Sequence, residues 1–67
     1  MHDGERLLIE RRRRGQSAYK LAGAASIAPS VLSEIEHGRR EATFEQKLAL
    51  ARALGMEPEQ LFQRVTP

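Results

Sequence analysis

The sequence predicts an all-α fold, a compact domain of five short helices, and three observations carry that prediction. Nine of its 67 residues are Ala, the strongest helix former. No run alternates Val, Ile, Thr or aromatic residues with polar ones, so there is no strand signal. Gly and Pro fall where short helices would end and begin, with no low-complexity linker and no internal repeat between them.

The first helix is expected from about Gly4 to Arg14, stopping at Gly15, with Leu7, Leu8 and Arg11 on one face. Arginines crowd its last turn, where cations favour the negative end of the helix dipole. The second opens at Ser17, whose hydroxyl can accept from a backbone N–H two or three residues on, and runs to about Ala24. Leu21, Ala22 and Ala25 form its inner face.

After a turn at Ala25-Ser26-Ile27, Pro29 suits the first position of a third helix, where its missing N–H costs nothing. Leu32, Ile35 and Glu36 then share a face, and Gly38 follows as the stop. Thr43-Phe44-Glu45-Gln46 has capping-box form and starts a fourth helix, with Phe44, Leu48, Ala51 and Leu54 inward until Gly55. A fifth begins at Pro58, with Leu61, Phe62 and Val65 apolar.

Length and composition limit what such a chain can do. Leu, Ile, Val and Phe number 15, about 22% of the residues, just above the roughly 20% below which chains stay disordered. Residues 1–67 are therefore one domain, because a fold of this size buries only about 60% of its unfolded surface. A large enzyme cleft is not expected. The absence of cysteine excludes disulfides and thiolate metal sites. No apolar run approaches the length of a membrane span, and the expected setting is soluble and cytoplasmic.

The net charge of +2 hides a segregation. Residues 1–10 carry a net −2, residues 11–40 a net +5, and residues 41–67 a net −1. A basic middle flanked by acidic ends points to a polyanion met by one face, although a charge run can also be a solvated surface. Within that middle, Ser17 to Gly38 reads as two short helices joined by a tight turn. This is the arrangement of a helix-turn-helix, whose first helix braces against the DNA backbone while the second enters a major groove about 12 Å wide.

Arg11, Gly15-x-Ser17, Leu21-Ala22, Ile27, Ser30, Leu32-Ser33-x-Ile35-Glu36-x-Gly38-Arg39, Ala51-x-Ala53-Leu54-Gly55 and Leu61-Phe62 follow one another along the chain. In these residues the chain resembles the phage-repressor and Cro-like helix-turn-helix (XRE) family, a lambda-repressor-like fold. Each piece is weak alone; their order and spacing together are specific and span about residues 4 to 62.

The resemblance implies a sequence-specific DNA-binding transcriptional regulator, a repressor binding operator DNA as a homodimer with the third helix in the major groove. It implies that Pro29, Ser30, Ser33 and Glu34 face base edges. It also implies that Arg11 and Glu36 form an ion pair tying the first helix to the third. Burial supports that pair independently, since Glu36 shares a face with Leu32 and Ile35 and an unpaired buried carboxylate is costly. Arg39 and Arg40 match the family's basic pair and would reach phosphates, joined by Ser17, Lys20 and Arg14. The plainer role of Arg12, Arg13 and Arg14 is a solvated cluster that aids solubility.

Three departures weaken sharp base reading. None of the four base-facing residues is Arg, Gln or Asn, the residues that make bidentate base contacts. Ala18 stands where the family has Gln, and Ala28 where a Ser or Thr cap is usual. These keep a second function open, an XRE-like module that binds a protein partner as an antiactivator or antitoxin-like component.

No ligand-binding domain is expected beside the helices, so regulation would come from concentration, dimerisation or another protein. Met56, Leu61, Phe62 and Val65 are the candidates for self-association, with plain core the competing role for Leu61 and Phe62. No enzyme, cofactor or metal is predicted. His2 and His37 lack ligand spacing, and Ser17, Ser26, Ser30 and Ser33 have no patterned base. Tyr19 is expected to pack in part or to cover the DNA-facing side.

Overall fold

The computed structural model describes residues 2–67. Its helices are α1 (Asp3–Arg13), α2 (Ala18–Ala24), α3 (Pro29–Glu36), α4 (Phe44–Leu54) and α5 (Pro58–Leu61), with no strand among the described residues. Leu7, Leu21, Leu32 and Leu50 are the largest fully buried side chains, one each from α1 to α4. Leu61 and Phe62 close the same core from below. Truncating any one of the four leucines is expected to cost about 2–5 kcal/mol.

The first four helices end alike. After α1, Gln16 N–H donates to Arg11 O and Gly15 N–H to Arg12 O; after α2, Ile27 donates to Ala22 and Ser26 to Gly23. After α3, Arg39 donates to Glu34 and Gly38 to Ile35; after α4, Met56 donates to Ala51 and Gly55 to Arg52. Each pair is a Schellman motif, which needs one left-handed residue. Gly15, Gly38 and Gly55 supply it at three ends, but Ser26 does so with φ 58° in the turn between α2 and α3.

Helix starts follow local chemistry too. Ser17 Oγ accepts from Lys20 N–H and Thr43 Oγ1 from Gln46 N–H, the latter within a reciprocal capping box. Ala28 offers no side-chain cap, and Pro29 occupies the first turn of α3.

Packing departs from the expected pattern in three places. On α4 the buried side is Lys47, Leu50, Ala51 and Leu54, while Phe44 and Leu48 are only half-buried. The apolar stripe of this helix is too wide for sequence to choose its centre; packing against α2 and α5 chooses it. Leu8 on α1 is likewise half-buried. The last helix is a single four-residue turn, because the backbone extends at Phe62 (φ −126°, ψ 140°), where the ring lies in the core.

A buried lysine fastens the C-terminal segment. Lys47 Nζ donates to Arg64 O, lies 5.6 Å from the centre of the Phe62 ring and 3.9 Å from Asp3 Oδ2. Asp3 Oδ1 in turn accepts from Gln63 N–H. Gly4 lets α1 approach α3 closely: a Cβ there would stand 1.7 Å from the Ile35 carbonyl oxygen.

Candidate nucleic-acid interface

The helix-turn-helix rests on one ion pair. Arg11 Nε donates to Glu36 Oε2 at 2.7 Å and Nη2 to Oε1 at 3.2 Å, while Nη1 donates to Gln16 O at 3.0 Å. A planar guanidinium has this fork of donors, so one side chain ties α1 to α3 and to the turn before α2. The Glu36 side chain is 3% exposed and that of Arg11 12%. Enclosed in this way, the pair is turned inward.

On the other side of α3, Pro29, Ser30 and Ser33 are exposed and Glu34 is partly exposed. With Leu32, Ile35 and Glu36 buried, the helical repeat sets Ser30, Ser33 and Glu34 on the outward side. His37 continues that side as the C-terminal cap. Its Nδ1 lies 2.8 Å from Ser33 O, a contact that is a hydrogen bond in the tautomer with the proton on Nδ1, since a carbonyl only accepts, and Nε2 makes no hydrogen bond among the described residues. His37 was not among the residues expected to face the bases. The i, i+3, i+4 spacing from Ser33 and Glu34 was the signal that it belongs with them.

The basic candidates divide into free and engaged. Lys20 and Arg39 are exposed and have no ion pair among the described residues. Arg40 donates from Nε to Glu34 Oε1 at 2.9 Å, so a phosphate candidate and a base candidate already hold each other. Ser17 is exposed, with its oxygen accepting the cap bond of α2. Tyr19 is 76% exposed on α2.

Arg14 is not a loose surface cation. It donates to Glu10 Oε1 at 2.6 Å, while Arg6 at 3.0 Å and Arg13 at 3.4 Å share Oε2 of the same carboxylate. Glu10, 4% exposed, is the hub of the cluster, a role not expected of it although its i+4 and i+3 spacings to these arginines stand in the sequence. The hydrogen bond from Arg14 holds the Glu10 carboxyl below the usual carboxylate range, with the charges of Arg13, Arg6 and Arg14 acting the same way and burial opposing them.

Of the self-association candidates, Leu61 and Phe62 are corrected: both lie in the core of the single chain and offer no surface. Apolar residues at a terminal turn close the core of so small a domain before they can serve a partner. Met56 and Val65 are half-buried.

This geometry, two short helices crossing at a tight turn with a polar face outward and an ion pair behind it, has the form of a helix-turn-helix. The family model described as a helix-turn-helix domain matches residues 4–63. The chain belongs to that family, in the XRE-like group of DNA-binding domains. Among solved structures it is similar to the restriction-modification controller protein C.AhdI from Aeromonas hydrophila, at 35% identity and a TM-score of 0.86, over 90% of this chain and 91% of that one. No curated protein matches it.

Proposed function

We propose that this protein is a transcriptional regulator of the controller type, which binds operator DNA through α3 as a homodimer and carries out no reaction of its own. The observation that carries this reading is the exposed polar side of α3, with Lys20 on α2 and Arg39 beyond α3 as free cations and the Arg11–Glu36 pair holding the helix from behind. Backbone contacts would position the domain, and Pro29, Ser30, Ser33 and Glu34 would meet base edges. Ser17, Lys20, Arg39 and Arg40 are the phosphate contacts. Arg14 contributes charge while remaining bonded to Glu10. Such a protein works in the cytoplasm, where its DNA is.

The dimer surface we favour is the outer side of α4 and the turn after it, where Phe44, Leu48 and Met56 are half-buried. Two copies would then face half-sites about 34 Å apart. Met56→Glu should shift sedimentation toward monomer and leave the far-ultraviolet circular dichroism unchanged.

A second reading has one observation in its favour. The Glu34–Arg40 pair cancels charge on the reading face, which suits a surface that meets a protein partner rather than a polyanion. Fluorescence anisotropy with random and upstream duplexes at several salt concentrations separates the two. A log–log salt slope of about −0.9 per phosphate contact supports the DNA regulator. No binding at low salt by folded protein sinks it in favour of the protein partner.

A further inference from the structure

We propose that Glu34 and Arg40 form one reading unit, in which Arg40 positions the Glu34 carboxylate while bridging to a DNA phosphate, so that Glu34 Oε2 accepts from the exocyclic amine of a cytosine. The inference rests on the DNA-binding function proposed above.

The hydrogen bonds show why one residue can do both. Arg40 uses Nε alone for Glu34 Oε1, at 2.9 Å, and its side chain makes no other hydrogen bond among the described residues. Both Nη groups remain as donors for a phosphate, and Oε2 of Glu34 remains as an acceptor. Their side chains are 50% and 42% exposed, so each is within reach of a ligand while touching the other.

The backbone delivers Arg40 to this position. Gly38 turns the chain in the left-handed conformation at φ 75°, and Arg39 N–H donates to Glu34 O at 2.8 Å. The next residue is therefore brought back beside the turn that carries Glu34. An exposed ion pair contributes little to stability, so its value to the protein is better sought in what it orients.

Charge gives the pair its purpose. A lone carboxylate entering the groove would be repelled by the phosphates on both sides; with Arg40 attached it enters as a neutral unit with a fixed direction. An ionised carboxylate only accepts, which selects among bases. Cytosine presents the N4 amine donor, whereas adenine sets the N7 acceptor beside its N6 amine, facing the carboxylate with a second lone pair.

The test is selection from randomised duplexes by the full chain and by Glu34→Gln and Arg40→Lys, followed by anisotropy on the selected duplex and on its single-position variants. The wild type should prefer C·G about tenfold at one position of each half-site. Glu34→Gln should move that preference to A·T, because an amide can both donate to N7 and accept from N6, and should tighten binding to random duplex. Arg40→Lys keeps the charge but lacks the fork. It should lower the preference at that one position several-fold, beyond any uniform loss of affinity from the weakened phosphate contact, while the salt slope stays close to wild type because the charge is kept.

If both variants bind with the wild-type preference at every position, or if Arg40→Lys weakens all sequences equally, the unit is overturned and DNA binding stands. If the wild type binds no duplex, the DNA reading falls and the unit with it. Circular dichroism of both variants should match wild type, which keeps a change in preference from being a change in folding.

Discussion

Glu36 and Glu10 are buried to nearly the same degree, 3% and 4% exposed, yet they are neutralised in opposite ways. Glu36 takes both oxygens' bonds from Arg11, a residue 25 positions away on another helix. Glu10 takes its bonds from Arg6, Arg13 and Arg14, all within one helical turn of it. The first pair exists only when α1 and α3 are docked. The second can form as soon as α1 and its C-terminal turn are helical. Burial alone thus does not say what a charge does: Glu36 reports tertiary structure and Glu10 reports local structure.

Breaking the tertiary pair should have the largest effect. Glu36→Ala leaves the Arg11 guanidinium enclosed without its partner, and about 3–5 kcal/mol of stability should be lost in urea titration. For a domain of this size that is a large share of the total stability. Arg11→Met combined with Glu36→Leu should recover much of the loss, since neither charge is then left buried alone. Recovery would show that the pair's role at this site is to avoid an orphan charge.

Gly4→Ala attacks the same helix contact without touching a charge. The added methyl meets the Ile35 carbonyl, so α1 must move away from α3, at about 1–3 kcal/mol. Because the move also stretches the Arg11–Glu36 pair, Gly4→Ala and Glu36→Ala should be non-additive in a double-mutant cycle.

Glu10→Gln should cost less than either, and its signature is in pH. A carboxyl held below its ordinary range contributes stability that is fully present above the unfolded-state pKa, about 4.3, and is lost as pH falls through the lower folded-state value. Wild type should therefore exceed Glu10→Gln in thermal stability at pH 7, and the two melting curves should converge in acid. A constant gap down to pH 2 would mean the arginines are not what Glu10 serves.

The smallest change has the opposite sign. Ser26 holds a left-handed conformation that glycine adopts freely, so Ser26→Gly should raise stability by about 1 kcal/mol or less, the relief of strain being offset in part by glycine's freedom when unfolded. Each kcal/mol is worth about 4–8 °C in Tm for a domain of this size.

These cases also divide what could be read in advance. The starts of α2, α3 and α4 and the stops of α1, α3 and α4 were legible because Ser17, Pro29, Thr43, Gly15, Gly38 and Gly55 act on their own backbone neighbours. The outward Ser30, Ser33 and Glu34 followed from the helical repeat once Leu32, Ile35 and Glu36 were taken as inward. Glu10 and His37 could have been found by the same spacing. Lys47 could not, because its burial depends on a carbonyl 17 residues on and a ring that closes over it.

An all-helical chain, most of its helix starts and stops, its basic middle and its family were legible in the order of the residues, since these rest on interactions within a turn or two. Which side of α4 is buried, that Leu61 and Phe62 belong to the core, that Gly4 admits a backbone and that Arg40 is joined to Glu34 emerge only when the helices pack together. Each of those depends on where two segments meet in space, and the free energy of that meeting is shared among residues far apart in the chain.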